Sequence, residues 1–418
     1  MTYLVILLAV LSLSDDFFLN KKFSTGQVPI SGTDKTMFYW LIPNEAGDLN
    51  APLFLWLQGG PACNSDYLAL DELGPFKLNS DGTLKDNPNS WTKVVDVVFV
   101  DNPIGTGWSQ CNDITRLPFT EEQISEDLYT FLLGFLNKNP QYKKKAFYLS
   151  SQSYGGHYVP NFAAYILNKK NSDINLKGIT LGNALISPAT QLPYSAEFAY
   201  QEKLLSWANY EIAKGGYINC VLSINSMLYT AASSYCGGTF IYIAGTPYKF
   251  NIMDIRKPCV DYPNCYDYSN FKNFLTKDAA LIGLNVKGLK YESCNQLTQQ
   301  KLLSMDYFMD YSRGLETALA FNVPVYLYNG NKDFICPYMG GQKVSENLNW
   351  KGKDAFGKEK MKNYTMNGVK VGEYKQYGLL YYATVYDAGH RVPYDQPEWT
   401  LDFLKNVVLA KTAVKNEA

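Results

Sequence analysis

The segment Ala146-Phe-Tyr-Leu-Ser-Ser151-Gln152-Ser153-Tyr154-Gly155-Gly156-His157 runs from an apolar, aromatic stretch into small residues and then toward a helical pattern. A strand that turns sharply into a helix can present a serine at its apex when the residues two before and two after are small, because the strained turn leaves no room for larger side chains. Here the pattern is Ser151-x-Ser153-x-Gly155, with serine in place of the first glycine. Ser153 is therefore the candidate nucleophile, and a serine-rich loop is the other reading. A serine hydroxyl needs a base, and an imidazole base needs a carboxylate to orient it. The chain holds only two histidines, His157 and His390. His157 lies four residues after Ser153 on the same expected helix, which turns it down into the fold as a structural residue. His390 follows the apolar run Leu380–Tyr386, and Asp333 follows the run Pro324–Tyr328. With so few histidines a multi-histidine metal site is excluded, and no P-loop or paired C-x-x-C motif occurs. No metal and no cofactor are expected.

The chain order Ser153, Asp333, His390 is that of the α/β-hydrolase arrangement, and it requires strands whose ends carry those residues. Suitable short apolar runs are Met37–Ile42, Pro52–Leu57, Val94–Val100, Ala146–Leu149, Lys177–Leu181, Pro324–Tyr328 and Leu380–Tyr386. Their β-branched and aromatic content suits buried strands. Thr120 and Gln123 form a capping box ahead of Ile124, Leu128, Phe131, Leu132 and Phe135 on one helical face. A second helix is expected over Pro397–Leu409. Strands alternating with helices give an α/β sheet covered on both sides. Between 192 and 295 the pattern becomes tyrosine-rich and irregular and holds five of the eight cysteines, so this stretch reads as a disulfide-stapled insertion, or lid. The sheet-forming core is then 15–191 and 296–418.

Composition narrows the rest. The 418 residues are 46% hydrophobic, with 38 Lys+Arg against 39 Asp+Glu and a net charge of -1. That balance provides no electrostatic footprint for nucleic acid or an anionic membrane. The apolar run Leu4–Leu13 followed by Ser14 reads as a secretory signal peptide over 1–14, too short to span a bilayer. Export permits disulfides. Asn363-Tyr364-Thr365 is an N-x-[ST] sequon and would mark an exposed, glycosylated loop.

The segments Trp56-Leu-Gln58-Gly59-Gly60-Pro61-Ala-Cys63, Glu72-Leu-Gly-Pro75, Asp101-Asn-Pro-Ile-Gly-Thr-Gly-Trp-Ser109, Ser153-Tyr-Gly-Gly-His-Tyr158, Tyr291-Glu-Ser-Cys294-Asn295 and Asp387-Ala-Gly-His390 together resemble the serine carboxypeptidase family, from about Phe38 to Trp399. The form Leu-Gln-Gly-Gly-Pro and the stretch Ser195-Ala-Glu-Phe-Ala-Tyr-Gln resemble its vitellogenic-like branch. The resemblance implies an α/β-hydrolase fold and an acyl-enzyme that removes residues one at a time from peptide C-termini. Ser153 would be the nucleophile, His390 the base and Asp333 its orienting group. Gly60 and Tyr154 would supply the oxyanion hole. Gln58, Glu72 and Gln152 would bind the substrate's terminal carboxylate. Leu185, Tyr154 and Cys336 would lie at the substrate pocket, with Leu192 where an aromatic is common. Cys63 would pair with Cys294, Cys259 with Cys265, and Cys220 with Cys236, leaving Cys336 as a thiol near the pocket and Cys111 as a plain buried one.

Two departures bear on activity. Most of the family carries glutamate where Gln152 stands, and an amide donates hydrogen bonds at any pH whereas a glutamic acid donates only while protonated. Carboxylate binding is thus expected to depend less on acidity here. Ser151, Gln152 and Ala62 also fit a weakened homologue that only binds, and the same acyl-enzyme could pass its acyl group to an alcohol as an acyltransferase. The secretory route ends outside the cell, in a lysosome or in a vacuole. The oligomeric state is not read from the sequence.

Overall fold

The computed structural model describes residues 17–30 and 32–410, so the expected signal segment lies outside the described residues. Ten strands form one sheet: β1 (Ser24–Pro29), β2 (Thr36–Ile42), β3 (Leu53–Leu57), β4 (Asp96–Val100), β5 (Ala146–Gln152), β6 (Asn175–Gly182), β7 (Val325–Gly330), β8 (Lys362–Met366), β9 (Val369–Tyr377) and β10 (Leu380–Val385). Their order is β1-β2-β4-β3-β5-β6-β7-β10-β9-β8. The six strands from β4 to β10 in that order pair in parallel, and antiparallel pairs close both edges. β1, β8 and β9 were not among the expected strands.

Alternation along β3 shows why the central strands read as continuous apolar runs. Leu53, Leu55 and Leu57 face a core shared with Phe131, Phe135 and Phe162, while Phe54 and Trp56 face another shared with Trp91, Trp399 and Phe403. Helices cover the first face: α1 (Glu121–Lys138) and α2 (Gly155–Lys169). The Thr120 hydroxyl accepts from the Gln123 N–H, as the capping box requires. On the second face the expected helix over Pro397–Leu409 is α-helical only over Pro397–Phe403 and continues as a wider π turn, Leu404–Val408.

The chain leaves the sheet after Gly182 and re-enters it at Val325. The expected irregular insertion instead contains a helical hairpin, α3 (Trp207–Asn225) and α4 (Tyr229–Ala244), joined by the Cys220–Cys236 disulfide. No charged residue occurs from Gly215 to Tyr248, so α4 and all but the first turns of α3, which carry Glu211 and Lys214, have apolar and neutral residues on every side and show no 3.6-residue stripe to reveal them. The Ser312–Ala320 helix then returns Leu315, Ala318 and Leu319 to the first core.

Candidate active site

Ser153 sits between the end of β5 and the start of α2 at φ 61°, a left-handed conformation that costs a residue with a Cβ roughly 1–2 kcal/mol. Three backbone hydrogen bonds hold it there: Ser153 N–H to Gly182 O at 3.1 Å, and Gly156 and Leu185 N–H to Ser153 O, both at 2.9 Å. Ser151 fits in place of a glycine because its hydroxyl tucks against Gly155, where a Cβ would overlap it, and donates to Leu57 O. Gly59 backs onto the same turn; a Cβ there would come within 2.7 Å of both Ser153 Cβ and Tyr154 N.

The loop after β7 places Asp333 and the loop after β10 places His390. Asp333 is wholly buried, and His390 Nδ1 donates to its Oδ2 at 2.7 Å. A carboxylate only accepts, so Nδ1 carries a proton, and Nε2 is the nitrogen that is bare when the ring is neutral. Asn183 Nδ2 also donates to Oδ2, at 2.7 Å, while the Ile335 and Cys336 N–H groups donate to Oδ1 at 3.0 and 3.2 Å. The His390 N–H is fixed on Met253 O at 2.6 Å. Polar atoms of Asp333, Cys336 and His390 lie within 4.8 Å of one another, but four donors already occupy the Asp333 oxygens, which makes the cluster a hydrogen-bonded relay rather than an open ligand set. Among the described residues no hydrogen bond joins Ser153 Oγ to His390; catalytic hydrogen bonds often form only once substrate is bound. The other histidine is turned inward: His157 is fully buried, its Nδ1 meets Leu185 O at 2.7 Å, and burial pushes its pKa down.

Gly60 and Ala62 shape the neighbouring loop at φ 124° and 56°. Tyr158 on α2 accepts the Ala62 N–H at 2.9 Å, and Ala62 O accepts from Asn295 N at 2.8 Å and Thr106 Oγ1 at 3.3 Å. The Cys63–Cys294 disulfide anchors the next residue. Among the described residues neither the Gly60 N–H nor the Tyr154 N–H is spent on a backbone carbonyl, which suits two donors reserved for a developing oxyanion.

The three expected carboxylate-binding residues are all buried. Gln152 Nε2 donates to Gln58 Oε1 at 3.3 Å and leaves Gln152 Oε1 without a partner. Glu72 is not alone: Arg391 Nε donates to its Oε1 at 2.6 Å. Burial pushes the Glu72 carboxyl up while the guanidinium pulls it down.

A cavity of about 270 Å³ is lined by Leu192, Phe240, Ile252, Tyr307, Phe308 and Ile335 among others, and Ile335 links its wall to the relay through the N–H that it donates to Asp333. Leu185, Tyr154 and Cys336 do not line it. The Leu185 backbone braces the Ser153 turn instead, and Tyr154 sends its hydroxyl away to Asp306, which also receives the Tyr311 hydroxyl at 2.6 Å. Cys336 is buried next to Asp333 and its thiol pKa is pushed well up by that burial. Cys111 is half-buried rather than buried, its thiol on Asp113 O at 3.0 Å. The three disulfides are Cys63–Cys294, Cys220–Cys236 and Cys259–Cys265. Asn363 lies on edge strand β8 rather than in a loop, exposed because only one side of that strand is paired.

Asn183, Tyr158 and Arg391 were missed as site residues. Arg391 alone carried a signal, its place immediately after His390.

The family model for serine carboxypeptidases matches residues 15–410. Serine carboxypeptidase-like 47 of Arabidopsis thaliana is 33% identical over 385 residues, covering 90% of this chain and 76% of that protein. Carboxypeptidase Y homolog A of Phaeosphaeria nodorum is 33% identical over 398 residues, covering 91% and 72%. Among solved structures, Kex1(delta)p, a prohormone-processing carboxypeptidase from Saccharomyces cerevisiae, superposes with a TM-score of 0.80 at 25% identity, covering 92% of this chain and 91% of that one.

Proposed function

The chain belongs to the serine carboxypeptidase family and is a serine-type carboxypeptidase with an α/β-hydrolase fold, and from that premise we propose that Ser153, His390 and Asp333 carry the reaction. Ser153 attacks the last peptide carbonyl, and bare His390 Nε2 takes the hydroxyl proton. Asp333 keeps the ring in that tautomer and stabilises the imidazolium. The collapsing intermediate expels the terminal amino acid, protonated by His390, and water resolves the acyl-enzyme by the reverse sequence. The Gly60 and Tyr154 N–H groups take the oxyanion, a contact typically worth about 2.7–4 kcal/mol per donor. The observation that carries this reading is the 2.7 Å bond from His390 Nδ1 to an Asp333 carboxylate whose other contacts are all donors.

Gln58, Gln152 and Glu72 lie at the carboxylate end, and the apolar cavity beyond Ile335 takes a large apolar side chain preceding the scissile bond. Peptide C-termini are the substrate. Three disulfides support a passage through an oxidising compartment, from which the protein is released or sent to a lysosome or vacuole. Among the described residues no helix is long and apolar enough to cross a membrane. The test is release of the C-terminal amino acid from a blocked dipeptide. The natural protein and His157→Gln are expected to turn over, and Ser153→Ala and His390→Gln to lose activity. Turnover by Ser153→Ala would refute the assignment.

A further inference from the structure

The segment 251–257 belongs to the insertion, yet its hydrogen bonds reach both loops of the relay. On the Asp333 side, Ile252 O accepts the Phe334 and Ile335 N–H groups at 3.1 and 3.0 Å, and the Ile255 N–H donates to Lys332 O at 3.0 Å. On the other side, Met253 O takes the N–H of His390, while the N–H of Gly389 donates to Asp395 Oδ2 at 2.8 Å. Gly389 packs directly on the segment: a Cβ there would overlap Met253 O and come within 2.7 Å of the Asp254 Cβ. Ionic contacts hold this joint closed. Arg256 Nε and Nη2 fork onto the two oxygens of Asp254 at 2.8 and 2.7 Å. Lys257 Nζ bridges Asp254 Oδ2 at 3.0 Å and Asp395 Oδ1 at 2.6 Å. The side chains of Asp254 and Asp395 are 0% and 5% exposed, so the bridge is screened far less than a surface pair. Burial pushes the Asp254 carboxyl up, and the two cations pull it further down, to below the usual carboxylate range. A network that only pinned the insertion to the core would serve equally anywhere along their boundary. This one ends on the peptide that precedes the base.

Building on the proposed function, we propose that Asp254, Lys257 and Asp395 are positioning residues for the base. Through Met253 O and the Gly389 N–H they fix the His390 backbone, so that Nδ1 keeps its bond to Asp333 while Nε2 moves the proton. The insertion is then part of the catalytic scaffold, in addition to lining the apolar cavity with Phe240 and Ile252. Because the network touches the base and not the substrate, its loss falls on the chemical step and spares binding.

The experiment measures kcat and KM on a blocked dipeptide, the rate of fluorophosphonate labelling at Ser153, and Tm, in the full chain carrying Lys257→Met, Lys257→Arg or Asp254→Asn. Lys257→Met should lower kcat and the labelling rate by the same factor, about 10- to 100-fold, the scale of a small misplacement of a catalytic group, with KM within about threefold. Lys257→Arg keeps a cation between the two carboxylates and should recover most of both rates. Asp254→Asn should behave as Lys257→Met does; the lysine is partly exposed, and its variants carry the test alone if the buried aspartate cannot be replaced. In a His390→Gln background, Lys257→Met should change the residual labelling rate by less than about threefold, since a group that acts only through the base has nothing left to position. A folded Lys257→Met protein that labels at the natural rate overturns the proposal, whatever its Tm. So does a rise in KM at constant kcat, or a further loss of about tenfold or more in the His390→Gln background. Turnover by Ser153→Ala would instead overturn the reading on which it rests.

Discussion

Replacing Asp333 by asparagine changes one oxygen into an NH2 and leaves the shape intact, yet every hydrogen-bond partner of that carboxylate is a donor. Either orientation of the new amide therefore points its NH2 at two donors. Facing Ile335 and Cys336, it strips an acceptor from two backbone N–H groups, each bond to a charged acceptor being worth about 1.5–3 kcal/mol, so about 3–6 kcal/mol of stability is lost. Facing His390 and Asn183, it meets an Asn183 amide that cannot turn over, because Asn183 Oδ1 already accepts the Gly330 N–H at 3.2 Å. His390 then relieves the clash by baring Nδ1, which moves its proton to Nε2, where it blocks abstraction from Ser153. That wrong tautomer reduces rate by about 10⁴-fold. The assay is kcat/KM on a blocked dipeptide beside Tm from calorimetry. A folded Asp333→Asn protein within tenfold of the natural rate would refute the reasoning.

Three further outcomes follow from local geometry. In Gly155→Ala the new Cβ overlaps the Ser151 hydroxyl, at a cost of about 1–3 kcal/mol; adding Ser151→Gly should restore Tm, and a double variant no more stable than the single one would sink the account of the elbow. Tyr158→Phe leaves the Ala62 N–H buried without its acceptor, about 1–3 kcal/mol; with the loop carrying Gly60 loosened, kcat should fall about 10- to 100-fold at nearly constant KM, and an unchanged kcat would show that the hydroxyl does not hold that loop. Asp66 and Asp101 form a buried pair whose pKa values are raised chiefly by burial, that of Asp101 to about 6. The folded state thus keeps protons that the unfolded chain releases near pH 4, so stability falls as pH rises from about 4 to 6. Asp66→Asn replaces the shared proton by a fixed donor and should flatten that slope in Tm against pH; an equally steep slope would exclude the pair as its source.

Ser153, Asp333 and His390 could be found in the sequence because each follows a run that the fold buries on both faces, and such runs are visible without neighbours. β8 and β9 lie at a sheet edge with exposed, charged residues and no such run. The α3–α4 hairpin was hidden for the opposite reason, since helices whose apolar residues are spread on every side lack the period that identifies them. Asn183 and Tyr158 act through partners 150 and 96 residues away, and Arg391 through partners 319 and 320 residues away. Nothing local fixes such contacts. The Gln152 amide was identifiable by type, but its pairing with Gln58 depends on two strand ends meeting, and the bond between Glu72 and Arg391 on two loops meeting.

The central claim is that Ser153 is a nucleophile activated by His390. Its most direct measurement is peptide mapping after reaction with a fluorophosphonate. The account predicts one phosphonyl group per chain, on Ser153, with the rate of labelling reduced at least about 10³-fold in His390→Gln and nearly unchanged in His157→Gln. Label on a different serine, or labelling of Ser153 that persists at the natural rate without His390, would contradict it.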